Sequence, residues 1–249
     1  LFEKYLAGEK SDTKQKTFAL FYQGYALFRN LNFSQSCDVL LDFASRYSNH
    51  ELVWNALITA AHAASQNSDF EKAQFAAESA LGRASDEVKK QESVTLCASI
   101  YSDSKNYEKA EALLSPYLKQ SDAFALQCSF SLAQIYALQN KIKEADSVYS
   151  SLKNKKSDRN ISEEAVYRRG ELFYSVNDFK TASSRFSEYT MQFPYGRFYD
   201  SALFYEAECQ FELQQTEKAL LKYELLVRNF PASSYRYPAL KKLCMLYRQ

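Results

Sequence analysis

The sequence is poor in the residues that interrupt regular structure, with only five glycines and four prolines among 249 residues. A β-sandwich needs many tight turns, so this composition favours nearly continuous helix instead. Histidine is equally scarce. His50 and His62 are the only two, and neither has ligand spacing with Cys, Asp or Glu. The sequence therefore predicts no zinc site.

Other sequence signals of chemistry are missing as well. The chain has no Gly-rich phosphate loop and no Gly-x-Ser-x-Gly elbow, so we expect no catalytic residues, no metal and no cofactor. The net charge is +1 with both signs interspersed, whereas nucleic-acid binding requires a basic face or stripe. No stretch approaches the roughly 20 apolar residues of a membrane span. The expected partner is a protein or peptide, with no nucleic acid, no metal and no membrane span in this part of the chain.

Five cysteines occur in an odd number and without Cys-x-x-Cys spacing, each within a predicted helix: Cys37, Cys97, Cys128, Cys209 and Cys244. This pattern predicts buried free thiols that act as small apolar side chains. Unpaired cysteines favour a reducing compartment. The chain begins at Leu1 rather than Met, and both ends look like half of a helical hairpin, so we expect a fragment of a longer array.

Small residues recur along the whole chain at gaps of 37, 37, 35, 37 and 37 residues. They are Ser36, Ala73, Ala110, Ala145, Ala182 and Ala219. A second small residue precedes each by twelve positions, namely Gly24, Ala61, Ala98, Ala133, Gly170 and Ala207. Small residues at matched heights let two antiparallel helices approach closely. The period predicts an all-α, right-handed superhelical solenoid of helical hairpins, with about fourteen helices.

The repeat divides the chain into one solenoid with hairpins at about 13–50, 51–87, 88–122, 123–160, 161–197 and 198–234. Partial units are expected at 1–12 and 235–249. A polar residue before each second helix, such as Asp69 or Asp178, indicates a turn with left-handed backbone. Phe193-Pro194 and Phe230-Pro231 predict where two second helices end, because proline cannot continue a helix.

This combination of a small pair, intervening aromatics and a terminal proline resembles the tetratricopeptide repeat (TPR) family, over nearly all of the chain. The standard period of that family is 34, so each unit here is slightly longer. Residues 165–249, with their double Phe-Pro ending, look most like the repeats of bacterial cell-envelope proteins. Examples are the outer-membrane assembly lipoprotein BamD and the coordinator of the Tol–Pal system.

The resemblance implies that the first helix of each hairpin lines a concave groove for a partner. By register, the candidate partner-binding residues are Phe18, Phe21, Tyr25, Phe28, His62, Phe130, Tyr167, Glu171, Tyr174, Phe204, Glu208 and Phe211. Two interpretations stay open for the phenylalanines near the start, which either receive a peptide or pack on a preceding unit. Of the set, Tyr167, Tyr174, Phe204 and Phe211 are the expected anchors, with Glu171 and Glu208 favouring a basic segment.

The function that these features favour is a non-catalytic protein-interaction scaffold, in a bacterial cell-envelope complex on the narrower resemblance. The periplasm or envelope is the favoured location, although the unpaired cysteines point to the cytoplasm. Three alternatives stay open: a cytoplasmic TPR adaptor, a small-ligand carrier, and an interaction arm of a larger enzyme.

Overall fold

The computed structural model describes residues 13–119, 122–153, 155 and 158–248, and within them it contains thirteen α-helices and no β-strand. The partial unit predicted at 1–12 lies outside these residues. The helices are α1 (Thr13–Arg29), α2 (Phe33–Arg46), α3 (Val53–Gln66), α4 (Phe70–Gly82), α5 (Glu87–Asp103), α6 (Tyr107–Leu114), α7 (Ala123–Leu138), α8 (Ile142–Leu152), α9 (Arg159–Ser175), α10 (Phe179–Gln192), α11 (Tyr199–Glu212), α12 (Thr216–Asn229) and α13 (Arg236–Leu246).

The chain forms two compact units, Leu1–Pro116 and Tyr117–Gln249. Within each unit every helix packs against the next helix in the chain, which produces successive antiparallel hairpins. The first helices of neighbouring hairpins also touch, α1 with α3 and α3 with α5 in unit 1, and α7 with α9 and α9 with α11 in unit 2. We call the surface that these helices share within one unit its first-helix face.

The recurring small residues lie where the two helices of a hairpin touch. The six that define the period are all completely buried, and their partners twelve residues earlier are buried too. In the first hairpin the hydroxyl of Ser36 donates to the carbonyl of Gly24 at 2.8 Å. A Cβ on Gly170 would lie 2.5 Å from the ring of Phe186. The close approach inferred from the spacing is therefore correct.

The turn within each hairpin has one conformation, repeated six times. Its left-handed residue, with φ near 60°, is Leu31, Ser68, Lys105, Asn140, Asn177 or Gln214. The backbone N–H of the following residue bonds five positions back, as from Asp69 to the carbonyl of Ala64 at 2.9 Å. This is the Schellman arrangement that satisfies the last carbonyls of a helix. The turn predicted before each second helix does contain left-handed backbone, and the left-handed residue is the one that directly precedes the polar residue.

In two hairpins the polar residue after the turn caps the second helix. Asp69 accepts from the backbone N–H of Lys72 and Asp178 from that of Thr181, so both cap the N-terminus of a second helix. Such a cap satisfies one of the four N–H groups that lack a partner within the helix. The aspartates were therefore predicted at the correct turn, but they act as helix caps.

The Phe-Pro endings stop α10 and α12 where predicted, since these helices end at Gln192 and Asn229. After the first ending, the Oε1 atom of Glu163 accepts from the backbone N–H of Arg197 at 2.6 Å and from the hydroxyl of Tyr189 at 2.7 Å. Gly196 is required here, because a Cβ at this position would lie 2.5 Å from the same Oε1 atom. The loop that joins two hairpins is thus fixed by a buried polar network.

Candidate partner-binding surface

The predicted aromatic residues of unit 1 pack mostly within their own hairpin. Phe21 is buried and its ring centre lies 5.6 Å from that of Phe43 on α2. Phe18 is half-buried against His50, and Phe28 is half-buried against Phe33. For Phe18 and Phe28 both interpretations stay open, because the preceding unit lies outside the described residues.

Two predicted residues of unit 1 are exposed. Tyr25 is 40% exposed, and His62 is exposed on α3. Partial burial of the imidazole lowers the pKa of His62, against the opposing effect of the Glu92 carboxylate on α5. Glu92 therefore lies near His62, so α3 and α5 present a polar surface there rather than an aromatic one.

The predicted residues of unit 2 divide into buried and accessible rings. Phe130 is 6% exposed and Tyr167 is 4% exposed, so both belong to the core. Tyr167 stacks on Phe198 with ring centres 4.5 Å apart. A ring so enclosed cannot contact a partner in this structure, and Phe21, Phe130 and Tyr167 are accordingly left out of the candidate surface. Tyr174, Phe204 and Phe211 are half-buried and stay within it.

Two further tyrosines join the accessible rings. The ring of Tyr205 lies 5.1 Å from that of Tyr174 and 5.8 Å from that of Tyr235, and Phe204 lies 5.1 Å from Tyr235. All four rings are half-buried and lie on α9, on α11 or directly before α13. We call Tyr174, Phe204, Tyr205 and Tyr235 the aromatic row.

Tyr235 was not among the predicted residues, although the 37-residue period indicates its position. Phe204 and Tyr235 lie 37 residues after Tyr167 and Phe198, and each pair has its rings in contact. The pair therefore repeats from one hairpin to the next. Tyr205 offers no such signal, because it neighbours Phe204 in sequence and its direction depends on how α11 is rotated.

The two carboxylates beside these rings already have partners within the chain. Glu171 accepts from Arg168 Nη1 at 2.7 Å. Glu208 pairs with Lys242 Nζ at 2.8 Å and also accepts from the hydroxyl of Tyr223. Lys242 itself lies 4.8 Å from the centre of the Phe211 ring. The chain thus places its own cations where a basic partner segment was expected.

The buried thiols have low reactivity. Cys37, Cys97, Cys128 and Cys209 are buried, as predicted, and Cys244 is exposed, which is a correction. Burial raises the pKa of Cys37 and Cys128 to about 11, and that of Cys97 and Cys209 to about 12. A thiol that stays protonated at neutral pH is a poor nucleophile, so these cysteines serve packing.

The described residues contain no group of three or more His, Cys, Asp or Glu side chains arranged to hold a metal ion. Across the same part of the chain, no helix has the length and apolar character required to cross a membrane.

Comparison with known proteins identifies the fold. The family model described as "Tetratricopeptide repeat" matches residues 18–50 and 201–233, which are the first and sixth hairpins. A tetratricopeptide repeat protein from Parabacteroides merdae superimposes with a TM-score of 0.60 at 14% identity, over 100% of this chain and 90% of the other. The chain has the tetratricopeptide-repeat fold. The all-α superhelical repeat architecture predicted from the 37-residue period is therefore confirmed.

Other solved structures of similar fold have different roles. PilW, a type IV pilus biogenesis factor, matches with a TM-score of 0.58 at 13% identity, over 92% of this chain and 100% of the other. The quorum sensor NprR from B. thuringiensis matches with a TM-score of 0.59 at 12% identity, over 96% of this chain and 71% of the other. A search of curated proteins found no significant match. At these identities the likeness shows the fold, and function has to be argued from surfaces.

Proposed function

We propose that this TPR chain is a non-catalytic scaffold that binds a protein segment on the first-helix face of unit 2, through the aromatic row. The observation that carries the proposal is a set of four contacting rings that are only half-buried and lie on the first helices α9 and α11 or directly before α13. Tyr and Phe supply large contact areas at low entropic cost, and such rings are enriched among residues that dominate binding energy.

The charges around the row define the chemistry of the segment. Glu171 and Glu208 are ion-paired with Arg168 and Lys242, so a partner gains little from carrying basic side chains there. An apolar segment that inserts side chains between the rings fits this surface better. Because contacts of that kind are hydrophobic, the affinity is expected to depend only weakly on salt.

A bacterial cell-envelope complex is the setting that we propose for this scaffold. The double Phe-Pro ending of residues 165–249 supports it, and one protein of similar fold is a type IV pilus biogenesis factor. The buried thiols do not oppose it, since cysteines enclosed by packing and lacking neighbours cannot form disulfides. A gene whose upstream sequence encodes a signal peptide ending in a lipid-acceptor cysteine supports the envelope, whereas its absence favours a cytoplasmic adaptor.

The binding proposal is tested by capture of the native partner from cells of the source organism. The double variant Tyr174→Ala with Phe204→Ala is expected to lose most of the captured partner. Phe75→Ala is the matched control, because Phe75 is 63% exposed on α4, a second helix of unit 1. Capture that is unchanged in the double variant, with the fold intact by circular dichroism, would move the site away from the aromatic row.

A further inference from the structure

A polar cleft on the opposite side of unit 2 is separate from the aromatic row. It has a volume of about 890 Å³ and lies along α10, the far side of α11 and the start of α12. Its lining includes Lys180, Ser183, Arg185, Glu206, Gln210 and Lys218. This volume is in the range of sites that hold small ligands or short peptide segments.

Two lining residues have a buried polar atom without a hydrogen-bond partner among the described residues, Arg185 at Nε and Gln210 at Oε1. Gln210 is only 6% exposed, and its Nε2 donates to Glu206 Oε1 at 3.3 Å. That contact fixes the orientation of the amide, since an ionised carboxylate accepts and does not donate. Among the residues that the structure describes, Oε1 of Gln210 has no hydrogen-bond partner. A buried acceptor without a donor costs free energy, which a ligand N–H at this position would recover.

The charged side chains that line the cleft carry a net positive charge. Glu206 pairs with Lys222 at 2.8 Å, and Glu188 pairs with Arg169 and Arg185. Both acidic side chains of the lining are therefore neutralised within the chain.

The two lysines of the lining are Lys180 and Lys218, and the ammonium group of Lys218 donates to the neutral side-chain carbonyl of Gln215 at 3.1 Å. Lys180 and Lys218 are exposed in the first turns of α10 and α12, and neither forms an ion pair within the described part of the chain. A cation at a helix N-terminus is unfavourable because the helix dipole is positive there. A bound anion would relieve both positions.

We propose that this cleft binds an extended acidic peptide segment, whose carboxylates pair with Lys180 and Lys218 and whose backbone N–H donates to Gln210 Oε1. A peptide meets both requirements, because it carries anionic side chains and backbone donors at regular intervals. A free phosphate supplies mainly acceptors and would fill a small part of the volume. The acidic segment and the apolar segment of the aromatic row are thus distinct ligands on two sides of one unit.

Fluorescence polarisation with a labelled peptide of alternating Asp and Gly residues, blocked at both ends, tests the proposal at low salt. Saturable binding is expected, and the same peptide with Lys in place of Asp should not bind. Lys180→Ala with Lys218→Ala should weaken binding about fivefold or more and flatten its salt dependence. Lys241→Ala, an exposed lysine on α13 outside the cleft, should leave it unchanged.

Two measurements test the proposed hydrogen bond from the peptide backbone to Gln210. Gln210→Leu, and separately a peptide with N-methylated backbone, should each weaken binding about threefold to tenfold. The methylated peptide needs no variant, so it decides the point even if Gln210→Leu fails to fold. Equal binding of the Asp and Lys peptides, unchanged affinity in the double lysine variant, or full affinity for the methylated peptide would overturn the proposal. Saturable binding of inorganic phosphate that displaces the peptide would also overturn it, by showing a simple anion site.

Discussion

The hydroxyl of Tyr189 donates a hydrogen bond of 2.7 Å to the buried carboxylate of Glu163, and so ties the second helix of the fifth hairpin to its first. The same hydroxyl accepts from the backbone N–H of Phe198 at 2.9 Å. Thirty-seven residues after Glu163, Asp200 is the corresponding acidic residue. It accepts a hydrogen bond of 2.5 Å from the hydroxyl of Ser233. Each inter-hairpin loop of this type is therefore held by one acidic residue of the preceding first helix.

Tyr189→Phe removes one donor from a carboxylate that is only 6% exposed and one acceptor from the loop. We expect a loss of about 1–3 kcal/mol in the free energy of unfolding, because Glu163 stays buried with fewer hydrogen bonds. Chemical denaturation of wild type and variant measures it. Tyr247→Phe is the control, since Tyr247 bonds Glu224 at the exposed end of the chain and should change stability by less than about 0.5 kcal/mol. An equal effect of the two changes would contradict the structural role of Tyr189.

Gly170→Ala tests the close contact that underlies the repeat. The added Cβ would lie 2.5 Å from Phe186, a completely buried ring, so we expect a loss of about 1–3 kcal/mol from overpacking. Gly82→Ala is the matched control on α4, where a Cβ meets nothing within 4 Å. The control should be neutral or slightly stabilising, because alanine is the better helix former. A thermal melt in which Gly170→Ala unfolds at the wild-type temperature would show that the contact is loose.

The fold could be predicted from the sequence because each contact between the two helices of a hairpin requires a small residue. These small residues recur at a regular spacing, which identifies the repeat. The turn conformation did not follow in full. The left-handed position is filled by residues such as Leu31 and Lys105, which give no sign of that backbone, where glycine would have done so. Their conformation comes from the Schellman bonds of the turn, which depend on where the first helix ends.

The candidate surface was predicted only in part, because register assigns a residue to a face and does not give its exposure. Tyr167 and Phe204 occupy the same place in successive units. Tyr167 is enclosed by Phe186, Tyr189 and Phe198, whereas Phe204 remains half-buried. Phe204 also contacts three rings, those of Tyr205, Tyr223 and Tyr235, so neither the period nor the number of ring contacts gives the exposure. The pairing of nearby charges likewise depends on long side chains whose directions the period does not determine.

Ser68→Gly should stabilise the protein. Ser68 has φ of 59°, a conformation that glycine adopts without the Cβ penalty. Part of this gain is offset by the greater freedom of glycine in the unfolded chain, so we expect a net gain of about 0.5 kcal/mol. Ser99→Gly, at an exposed position in the middle of α5, should instead cost about 0.5–1 kcal/mol. Destabilisation of similar size in both variants would contradict the left-handed assignment.

Thiol titration with an aromatic disulfide reagent at pH 8 should detect one fast cysteine per native chain. That cysteine is Cys244, the exposed one, because burial raises the pKa of the other four thiols and the thiolate is the reactive form. Cys244→Ser should abolish the fast phase, and all remaining thiols should react after unfolding in denaturant. A second fast thiol in the native protein would show that one hairpin opens readily.

We expect a partner to contact the aromatic row on the first-helix face of unit 2. Site-specific photo-crosslinking tests it most directly, with a photoreactive phenylalanine analogue placed at Tyr205 or, as the control, at Leu221. Leu221 is 66% exposed on α12, a second helix of the same unit. After irradiation in cells of the source organism, we expect one discrete partner adduct from position 205 and none from position 221. Adducts from position 221 alone would contradict the claim and place the partner on the other side of the unit.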